Sequence, residues 1–383
     1  MLRKTRFLLG LALALAAASA LARPAAAIET TARQAILVDA TTWTVLLERN
    51  ADELMAPASM SKVMTVYMVF ERLAEGSLSL DDRFLVSKKA WQKGGSKMFV
   101  EAGNQVSVED LLRGIIVQSG NDASIVIAEG LAGTEEAFAA EMTRRARELG
   151  LAKSVFKNAS GWPEKGHAMT ARELALLVHQ TIQNFPQYYP YYAETSFTYN
   201  GIRQTNRNPL LYAQDVGADG LKTGHTQAAG YGLVASAERD GRRLILVLNG
   251  LDSAAARARE AERLIEWGFR EFRTYGLFRA GEVVTQADVW LGAASTVPLV
   301  IEDELVLTLK RRARPKMRVS VVYEGPIPAP ITKGTKLAKL VVTAPEAPTV
   351  EVPLVAGADV ENLSMLRRIG AALGYLLWGP GAR

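Results

Sequence analysis

The sequence contains no cysteine among its 383 residues. Disulfide bonds, thiolate metal sites and a cysteine nucleophile are therefore excluded, and the protein can sit in an oxidising compartment without forming disulfides. Its stability must come from a hydrophobic core. A chain of this length with 49% apolar residues has enough material for such a core and for two domains.

Histidine is also scarce, with only His167, His179 and His225 in the chain. A Ser-His-Asp hydrolase of the nucleophile-elbow type would need a Gly-x-Ser-x-Gly sequence as well, and none is present. The zinc-hydrolase motif His-Glu-x-x-His is missing too. We therefore expect neither class of hydrolase, and no metal or other cofactor.

A long uncharged run near the N-terminus extends over residues 7–22 and follows a start with three basic residues. Three small residues, Ala25 to Ala27, come after it. This order predicts a secretory signal peptide over residues 1–27, cleaved after Ala27. The alternative is a transmembrane anchor, which needs about 20 apolar residues.

The net charge of the chain is small once the predicted signal peptide is removed. Residues 1–27 hold four basic residues and no acid, so the net charge falls from +5 to +1 (5 − 4 = 1) on cleavage. Nucleic-acid binding draws its affinity from clustered basic residues that face phosphates. The near-neutral net charge of the cleaved chain does not support nucleic-acid binding, and we expect no nucleic-acid partner.

Residues 28–275 alternate β-like runs with amphipathic helical runs, which predicts a mixed α/β domain whose sheet is flanked by helices. The clearest helix runs from Ser59 to Leu73 and has Pro57 before it as a start signal. Further predicted helices cover 110–130, 135–150, 170–183 and 253–272, and predicted strands cover 35–38, 44–47, 231–237 and 243–251.

Residues 276–356 change to short alternating runs punctuated by Gly and Pro, which predicts a small, mostly antiparallel β domain. The segment 326–330 is predicted to be a stiff connector. The basic run 310–318 most resembles a solvated hairpin, although contact with an anionic polymer or lipid is an alternative.

Residues 360–379 carry an apolar stripe with Arg367 and Arg368 opposite to it. This pattern predicts an amphipathic helix that lies on a membrane surface. A helix that packs on its own protein is the alternative.

The sequence Ser-x-x-Lys occurs twice, from Ser59 to Lys62 and from Ser154 to Lys157. Residues three apart share a helical face, so Ser59 Oγ and Lys62 Nζ can meet. Only the first copy begins a strongly apolar helix, whose first N–H groups can stabilise an oxyanion and help Lys62 lose its proton. Ser154 is expected in a surface turn.

Two later elements suit the same chemistry. The segment Ser119-Gly120-Asn121 offers a hydroxyl for a proton relay and an amide for a substrate carbonyl, although alone it fits a helix cap or turn. Lys222 and Thr223, before an apolar strand, could bind a carboxylate, while Gly224 lets a substrate backbone come close. Alone, Lys-Thr-Gly fits a plain turn.

The three elements, in this order, resemble those of the active-site serine penicillin-recognising enzymes. Within that superfamily the chain is similar to the low-molecular-mass penicillin-binding proteins that act as D-alanyl-D-alanine carboxypeptidases. The resemblance rests on residues 57–62, 119–123, 204–208 and 219–226, and extends over nearly the whole chain after residue 27. It implies trimming of peptidoglycan stem peptides ending in D-Ala-D-Ala, inhibition by β-lactams, and a location in the periplasm or on the outer face of the cytoplasmic membrane.

The resemblance also implies roles for single residues. Ser59 would be the nucleophile and Lys62 its general base, while Ser119 and Asn121 would handle proton and substrate contacts. The backbone N–H groups of Ser59 and His225 would form the oxyanion hole.

The residues implied in substrate binding are Asn121, Arg207, Lys222, Thr223, Gly224, His225 and Arg257. Lys222 and Thr223 would hold the terminal carboxylate. Arg207 and Arg257 are candidates to orient it, directly or through water; structural ion pairs are the alternative for both.

Three other functions share part of this pattern. A class A β-lactamase needs a glutamate that activates water for deacylation, and the sequence around Glu164 does not fit that role. A D,D-endopeptidase uses the same acyl-enzyme, and a catalytically weak murein-binding scaffold would keep the groove without turnover. The sequence leaves the last two open.

Overall fold

The structure, a computed structural model, describes residues 28–364. A mixed α/β part is followed by an all-β C-terminal domain, and both predictions of fold class are confirmed. The strands of the first part are β1 (Gln34–Asp39), β2 (Val45–Arg49), β3 (Arg83–Leu85), β4 (Gln105–Ser107), β5 (Ser196–Tyr199), β6 (Ile202–Thr205), β7 (Ala218–Thr226), β8 (Gly230–Arg239) and β9 (Arg242–Leu251). Its helices are α1 (Lys62–Ala74), α2 (Lys88–Gln92), α3 (Val108–Ile116), α4 (Asn121–Ala132), α5 (Glu135–Glu148), α6 (Ala171–Asn184) and α7 (Ala254–Glu271).

A five-stranded antiparallel sheet with the order β2-β1-β9-β8-β7 forms the centre of the α/β part. Every residue from Leu244 to Leu248 in β9 is fully buried. Such a run is typical of a strand that is covered on both faces. Alternate side chains of β9 enter different cores, because successive residues of a strand point to opposite faces.

The two faces of this sheet pack against different helices. Ile245 and Val247 join the core that contains α1 and α6, whereas Leu244 and Leu246 join the core that contains α7. Each fully buried side chain of this kind stabilises the fold by about 1.5–3 kcal/mol relative to an exposed one. Helix α1 is buried over nearly its whole length, so it is held firmly behind the sheet.

The helix prediction for residues 110–130 is wrong in one respect, because the chain forms two helices there. Helix α3 ends at Ile116 and α4 begins at Asn121. Ser119 has a φ of +68° and Gly120 a ψ of 119°, and neither value is compatible with an α-helix. The break places Ser119 between two helix ends.

Up to residue 364, the C-terminal domain contains eight strands: β10 (Phe272–Phe278), β11 (Val283–Trp290), β12 (Thr296–Ile301), β13 (Leu305–Lys310), β14 (Arg318–Val322), β15 (Ile327–Pro328), β16 (Lys336–Thr343) and β17 (Val350–Ala356). Six form a sheet with the order β14-β16-β17-β12-β11-β15, and β10 pairs with β13. Every pairing is antiparallel except that of β15 with β11. The predicted connector 326–330 thus supplies a short strand of its own.

The described chain ends beside this sheet. Val360 forms a β-bridge with Ile331, and Asn362 forms one with Gly292. These contacts belong to the β domain, so a terminal helix cannot begin at 360; the rest of the predicted amphipathic helix, from residue 365, lies outside the described residues. Within residues 28–364, no helix is long and apolar enough to cross a membrane.

Candidate active site

Ser59 lies in a 3-10 turn, Ala58–Ser61, immediately before the first residue of α1. That first residue is Lys62, whose side chain is fully buried. Its Nζ atom donates to Ser59 Oγ at 2.9 Å, to Asn121 Oδ1 at 2.7 Å and to the carbonyl oxygen of Ser160 at 2.6 Å. The lysine is therefore fixed against the serine by two acceptors from other parts of the chain.

Burial lowers the pKa of Lys62 to about 7, since the charged amine loses its hydration. The positive charge of Arg207 lowers the pKa further, while the carboxylate of Asp122 opposes the shift. With its pKa lowered this far, Lys62 can lose its proton near neutral pH. A neutral amine at 2.9 Å can accept the proton of the Ser59 hydroxyl.

The break between α3 and α4 brings Asn121, two residues after Ser119, into contact with Lys62. Ser119 is only 2% exposed and has the left-handed backbone described above, which costs a non-glycine residue about 1–2 kcal/mol. Asn121 Nδ2 donates to the carbonyl oxygen of Gly94 at 2.9 Å, while its Oδ1 accepts from Lys62. The amide of Asn121 is thereby oriented by both of its ends.

Lys222 and Thr223 lie on strand β7, so the Lys-Thr-Gly segment is part of a strand and the plain-turn alternative is wrong. Strand β7 is at the edge of the five-stranded sheet. Both side chains are nearly buried. An edge strand can pair with an extended peptide backbone, which is a common way to bind a peptide substrate.

Gly224 has a packing role in addition to the predicted one. A methyl group at this position would lie 2.9 Å from the carbonyl oxygen of Pro57 and 3.3 Å from Cβ of Ala58. The glycine therefore lets β7 pack directly on the turn that carries Ser59. This contact sets the separation between β7 and Ser59.

Three basic side chains of this region have no acidic partner among residues 28–364, namely Lys222, Arg207 and Arg257. The ion-pair alternative for the two arginines is therefore wrong. Arg207 donates to Ser96 Oγ at 2.6 Å, and the buried Nε of Arg257 has no hydrogen-bond partner in the described chain. Burial, together with the charges of Lys62, Arg207 and Arg257, lowers the pKa of Lys222 well below its usual value. A bound anion would relieve this repulsion.

His225 is exposed and its ring stacks on Tyr231, with centroids 3.9 Å apart. The guanidinium of Arg257 also lies near that ring, 5.9 Å from its centroid. Tyr231 thus links the end of β7 to α7, and helps to hold Arg257 near the edge strand.

Comparison with known proteins identifies the family. The family model described as D-alanyl-D-alanine carboxypeptidase matches residues 19–253, and the model described as penicillin-binding protein 5, C-terminal domain, matches residues 272–362. The first match alone covers more than half of the chain. This chain belongs to the D-alanyl-D-alanine carboxypeptidase family.

Individual relatives agree with the family. D-alanyl-D-alanine carboxypeptidase DacC of Escherichia coli is 40% identical over 310 residues, which cover 79% of this chain and 78% of the relative. The crystal structure of D-alanyl-D-alanine carboxypeptidase DacD from Francisella tularensis has a TM-score of 0.79 at 30% identity, and covers 88% of this chain and 95% of that one. Penicillin binding protein 5 from Haemophilus influenzae has a TM-score of 0.77 at 32% identity, with 88% and 99% covered.

The second Ser-x-x-Lys of this carboxypeptidase family member has a structural role. Ser154 is fully buried, and its hydroxyl donates to Glu173 Oε2 at 2.6 Å. The prediction of a surface turn is therefore wrong, because a glutamate in the first turn of α6 draws the serine inside. Lys157 is exposed and makes no contact of the kind that Lys62 makes with Ser59.

Four residues that support the site were missed in the sequence. The carbonyl oxygen of Ser160 holds Lys62, and Ser96 holds Arg207. Asp122 accepts from the backbone N–H groups of Met98 and Phe99 at 2.9 and 3.0 Å. A carbonyl contact leaves no pattern in a sequence, but the acid that follows Asn121 lies in the first turn of α4, where acids are a recognisable signal of a helix start.

Gly161, the fourth residue missed in the sequence, packs on the turn Ala58–Ser61 that carries Ser59. It has a φ of +74°, and a methyl group there would lie only 1.9 Å from the carbonyl oxygen of Ala58. Any side chain at position 161 would therefore force the backbone of Ala58 or of residue 161 to move. Gly161 determines where Ala58 and Ser59 sit.

We expect Gly161→Ala to lower the free energy of unfolding by about 3 kcal/mol or more and to slow acylation of Ser59, because the new Cβ adds a clash to the backbone strain. Gly76→Ala is the matched control, since Gly76 has the same φ of +74° but nothing within 4 Å of a new Cβ. The control should lose only about 1 kcal/mol. Denaturant unfolding and the rate of penicillin labelling check this, and equal losses in the two variants would contradict the packing role.

Proposed function

We propose that the protein removes the terminal D-alanine from peptidoglycan stem peptides by hydrolysis through an acyl-enzyme on Ser59. The single observation that carries the proposal is the contact between a buried Lys62 with a pKa of about 7 and the hydroxyl of Ser59 at 2.9 Å. Few surroundings would leave a lysine neutral at physiological pH beside a serine. The family membership supplies the substrate class.

In the acylation step, Lys62 takes the proton of Ser59 while Oγ attacks the carbonyl carbon of the penultimate D-alanine. The carbonyl oxygen becomes negative and would accept hydrogen bonds from the backbone N–H groups of Ser59 and His225. The intermediate then collapses, the C–N bond breaks, and a proton goes to the leaving amine. We assign Ser119 to that relay, because it lies two residues before Asn121, whose side chain contacts Lys62.

In the deacylation step, water attacks the ester and Ser59 recovers its proton.

The D-alanine that leaves in the acylation step carries a free carboxylate, which the cations of the site would attract. Lys222 and Thr223 on β7 would contact it, with Arg207 and Arg257 behind them. A substrate backbone would extend along the free edge of β7.

Two alternatives share this acyl-enzyme. A D,D-endopeptidase would cut crosslinked peptides, and a murein-binding scaffold would hold stem peptides without turnover. The buried Lys62 held against the Ser59 hydroxyl argues against a scaffold, because binding alone has no use for a base. Release of D-alanine from a pentapeptide, measured beside cleavage of a crosslinked dimer, decides among the three.

We expect penicillin to label Ser59 stoichiometrically, since the strained lactam carbonyl accepts the same attack and forms the same ester. Mass spectrometry of the digested, labelled protein locates the modified residue. Ser59→Ala should remove the label, and Ser154→Ala is the matched control that should keep it. A label on Ser154, or an unlabelled Ser59 in folded protein, would remove Ser59 as the nucleophile.

We also propose that the chain is exported by residues 1–27 and attached peripherally to a membrane by its C-terminal segment. The apolar stripe and the opposing Arg367 and Arg368 support this, because apolar burial and attraction to anionic headgroups both favour binding at the interface.

The membrane proposal predicts that deleting residues 365–383 moves the mature protein from the membrane fraction to the soluble fraction, with unchanged turnover of a soluble pentapeptide. The cut spares Val360 and Asn362, whose bridges belong to the β domain. Fractionation followed by immunoblotting measures the change. If the truncated protein stayed with membranes, the segment would be an ordinary packing helix.

A further inference from the structure

A cluster of basic side chains lies at one end of the C-terminal domain, and the proposed reaction does not use it. It begins at the end of β13, passes through a 3-10 turn over Arg314–Lys316 and ends at the start of β14. The segment 310–318 contains no acid. The basic cluster comprises Lys310, Arg311, Arg312, Arg314, Lys316 and Arg318.

The fold leaves most of this charge uncompensated. Glu346 accepts from Lys310 and from Arg312, each at 2.8 Å, so one acid serves two cations. The cluster with Glu346 therefore carries five positive charges in excess (6 − 1 = 5). Arg314 lies over the ring of Tyr275, 5.3 Å from its centroid.

The other three members, Arg311, Lys316 and Arg318, are exposed and have no ion pair within residues 28–364. Lys316 and Arg318 line an open cleft of about 670 Å³, whose other wall is the segment 343–345. Like charges held this close raise each other's electrostatic energy, and an anion of several charges lowers it.

The position of the cluster separates it from the end of the described chain. Arg318 pairs with Thr343 at the end of β16, whereas Lys336 at the start of β16 pairs with Val355 near the end of β17, after which the chain continues to Val360. Eight residues of strand separate these two ends by roughly 23 Å. The chain therefore leaves toward residue 365 at the end of the sheet opposite to the cluster.

The cluster adjoins the α/β part instead. The backbone N–H of Arg311 donates to the carbonyl oxygen of Glu271, the last residue of α7, at 2.8 Å. A polyanion held by the cluster would thus lie beside the part of the molecule that carries Ser59. An anionic bilayer reached through the chain end would face the other way.

We propose that the basic cluster is a second binding site for peptidoglycan, which it holds through the carboxylates of stem peptides that are not in the active site. The choice of polymer rests on the proposed function; the choice of an anion rests on the five excess charges. Such a site keeps the enzyme on a polymer with many substrate termini, and so raises their effective concentration at Ser59.

The test uses the full chain, acylated with penicillin so that the active-site groove is occupied, and purified insoluble peptidoglycan as the probe. The cluster variant is Arg311→Gln with Lys316→Gln and Arg318→Gln, and the matched control is Arg279→Gln with Lys333→Gln and Lys336→Gln. All six side chains are exposed and without an ion pair in the described chain, and the control set lies toward the opposite end of the domain. Neither triple change should therefore disturb the fold.

We expect the cluster variant to bind sedimented peptidoglycan about tenfold more weakly, and the control variant to bind like the unchanged protein. Added salt should weaken binding of the unchanged protein and narrow the difference, because exposed charges are screened. Conversion of the peptidoglycan carboxylates to amides should remove the difference. Release of D-alanine from a soluble pentapeptide should be the same for all three proteins.

Equal binding by the cluster variant and the unchanged protein would overturn the proposal, as would an equal loss in the control variant. Binding that survives amidation would remove the carboxylates as ligands. If the cluster variant still bound peptidoglycan but no longer bound vesicles of phosphatidylcholine and phosphatidylglycerol, the cluster would be a lipid-binding site. Failure of the unchanged protein to release D-alanine, with the sedimentation difference intact, would contradict the proposed reaction and leave the second site standing.

Discussion

Replacing Lys62 with arginine should slow acylation of Ser59 by penicillin by roughly three orders of magnitude or more. The guanidinium keeps the charge and nearly the length, but it stays protonated at any pH that proteins tolerate, so it cannot act as a base. Stopped-flow or gel-based labelling measures the rate. Lys157→Arg is the matched control, because Lys157 is the exposed lysine of the second Ser-x-x-Lys and should change nothing.

The pH dependence of the unchanged protein provides a second readout of the same prediction. Only neutral Lys62 accepts a proton, so the acylation rate should be low in acid, rise through a midpoint near the lysine pKa of about 7, and level off above it. Removal of the positive charge of Arg207 should move this midpoint upward, since that charge lowers the pKa of Lys62. Near-normal labelling of folded Lys62→Arg, or a rate that is flat from pH 5 to 9, would exclude Lys62 as the base.

The contact between Ser59 and Lys62 could be predicted because it is local. A spacing of three places both residues on one face of a helical turn, and the apolar face of α1 makes the helix recognisable, although Ser59 lies in the 3-10 turn before α1 and not in the predicted helix itself. The two other hydrogen-bond acceptors of Lys62 could be predicted only in part. Asn121 could be named from its motif, whereas the carbonyl of Ser160 is presented by a loop 98 residues away that has no periodic pattern.

Strand β7 shows a limit of periodicity. Its sequence, from Ala218 to Thr226, contains two glycines, one lysine, one histidine and little alternation, so it does not look like a strand. It is a strand because β8 pairs with it over nearly its whole length and because Gly224 packs against the nucleophile turn. Both causes are tertiary. The break before α4 was missed for a similar reason, as Asp122 binds the backbone of a distant loop.

Ser154 illustrates the opposite error. Small polar residues favour turns, and this preference predicted an exposed serine. The structure places Glu173 Oε2 2.6 Å from the Ser154 hydroxyl, and this partly buried hydrogen bond to a carboxylate outweighs the local preference. Local sequence therefore identified which of the two serines heads a helix, but not what happens to the other one.

The unchanged enzyme should release D-alanine much faster from a pentapeptide with a free C-terminal carboxylate than from its methyl ester, and Lys222→Ala should narrow that preference. Lys222 lies on edge strand β7 among cations that have no acidic partner in the described chain, so a carboxylate gains charge-assisted hydrogen bonds that an ester cannot make.

Loss of one hydrogen bond to a charged group costs about 1.5–3 kcal/mol, so Lys222→Ala should lower kcat/KM for the free-carboxylate peptide by roughly tenfold to a hundredfold. The ester should lose far less, because its ground state and transition state use Lys222 little. Lys88→Ala is the control, since Lys88 is exposed and outside the site. Liquid chromatography of released D-alanine and of the tetrapeptide measures both substrates. A group that binds the carboxylate of the leaving residue must change the rate ratio between the free-carboxylate peptide and its ester. Lys222 would therefore not recognise the carboxylate if the unchanged protein cleaved both substrates at equal rates, or if Lys222→Ala left the preference unaltered.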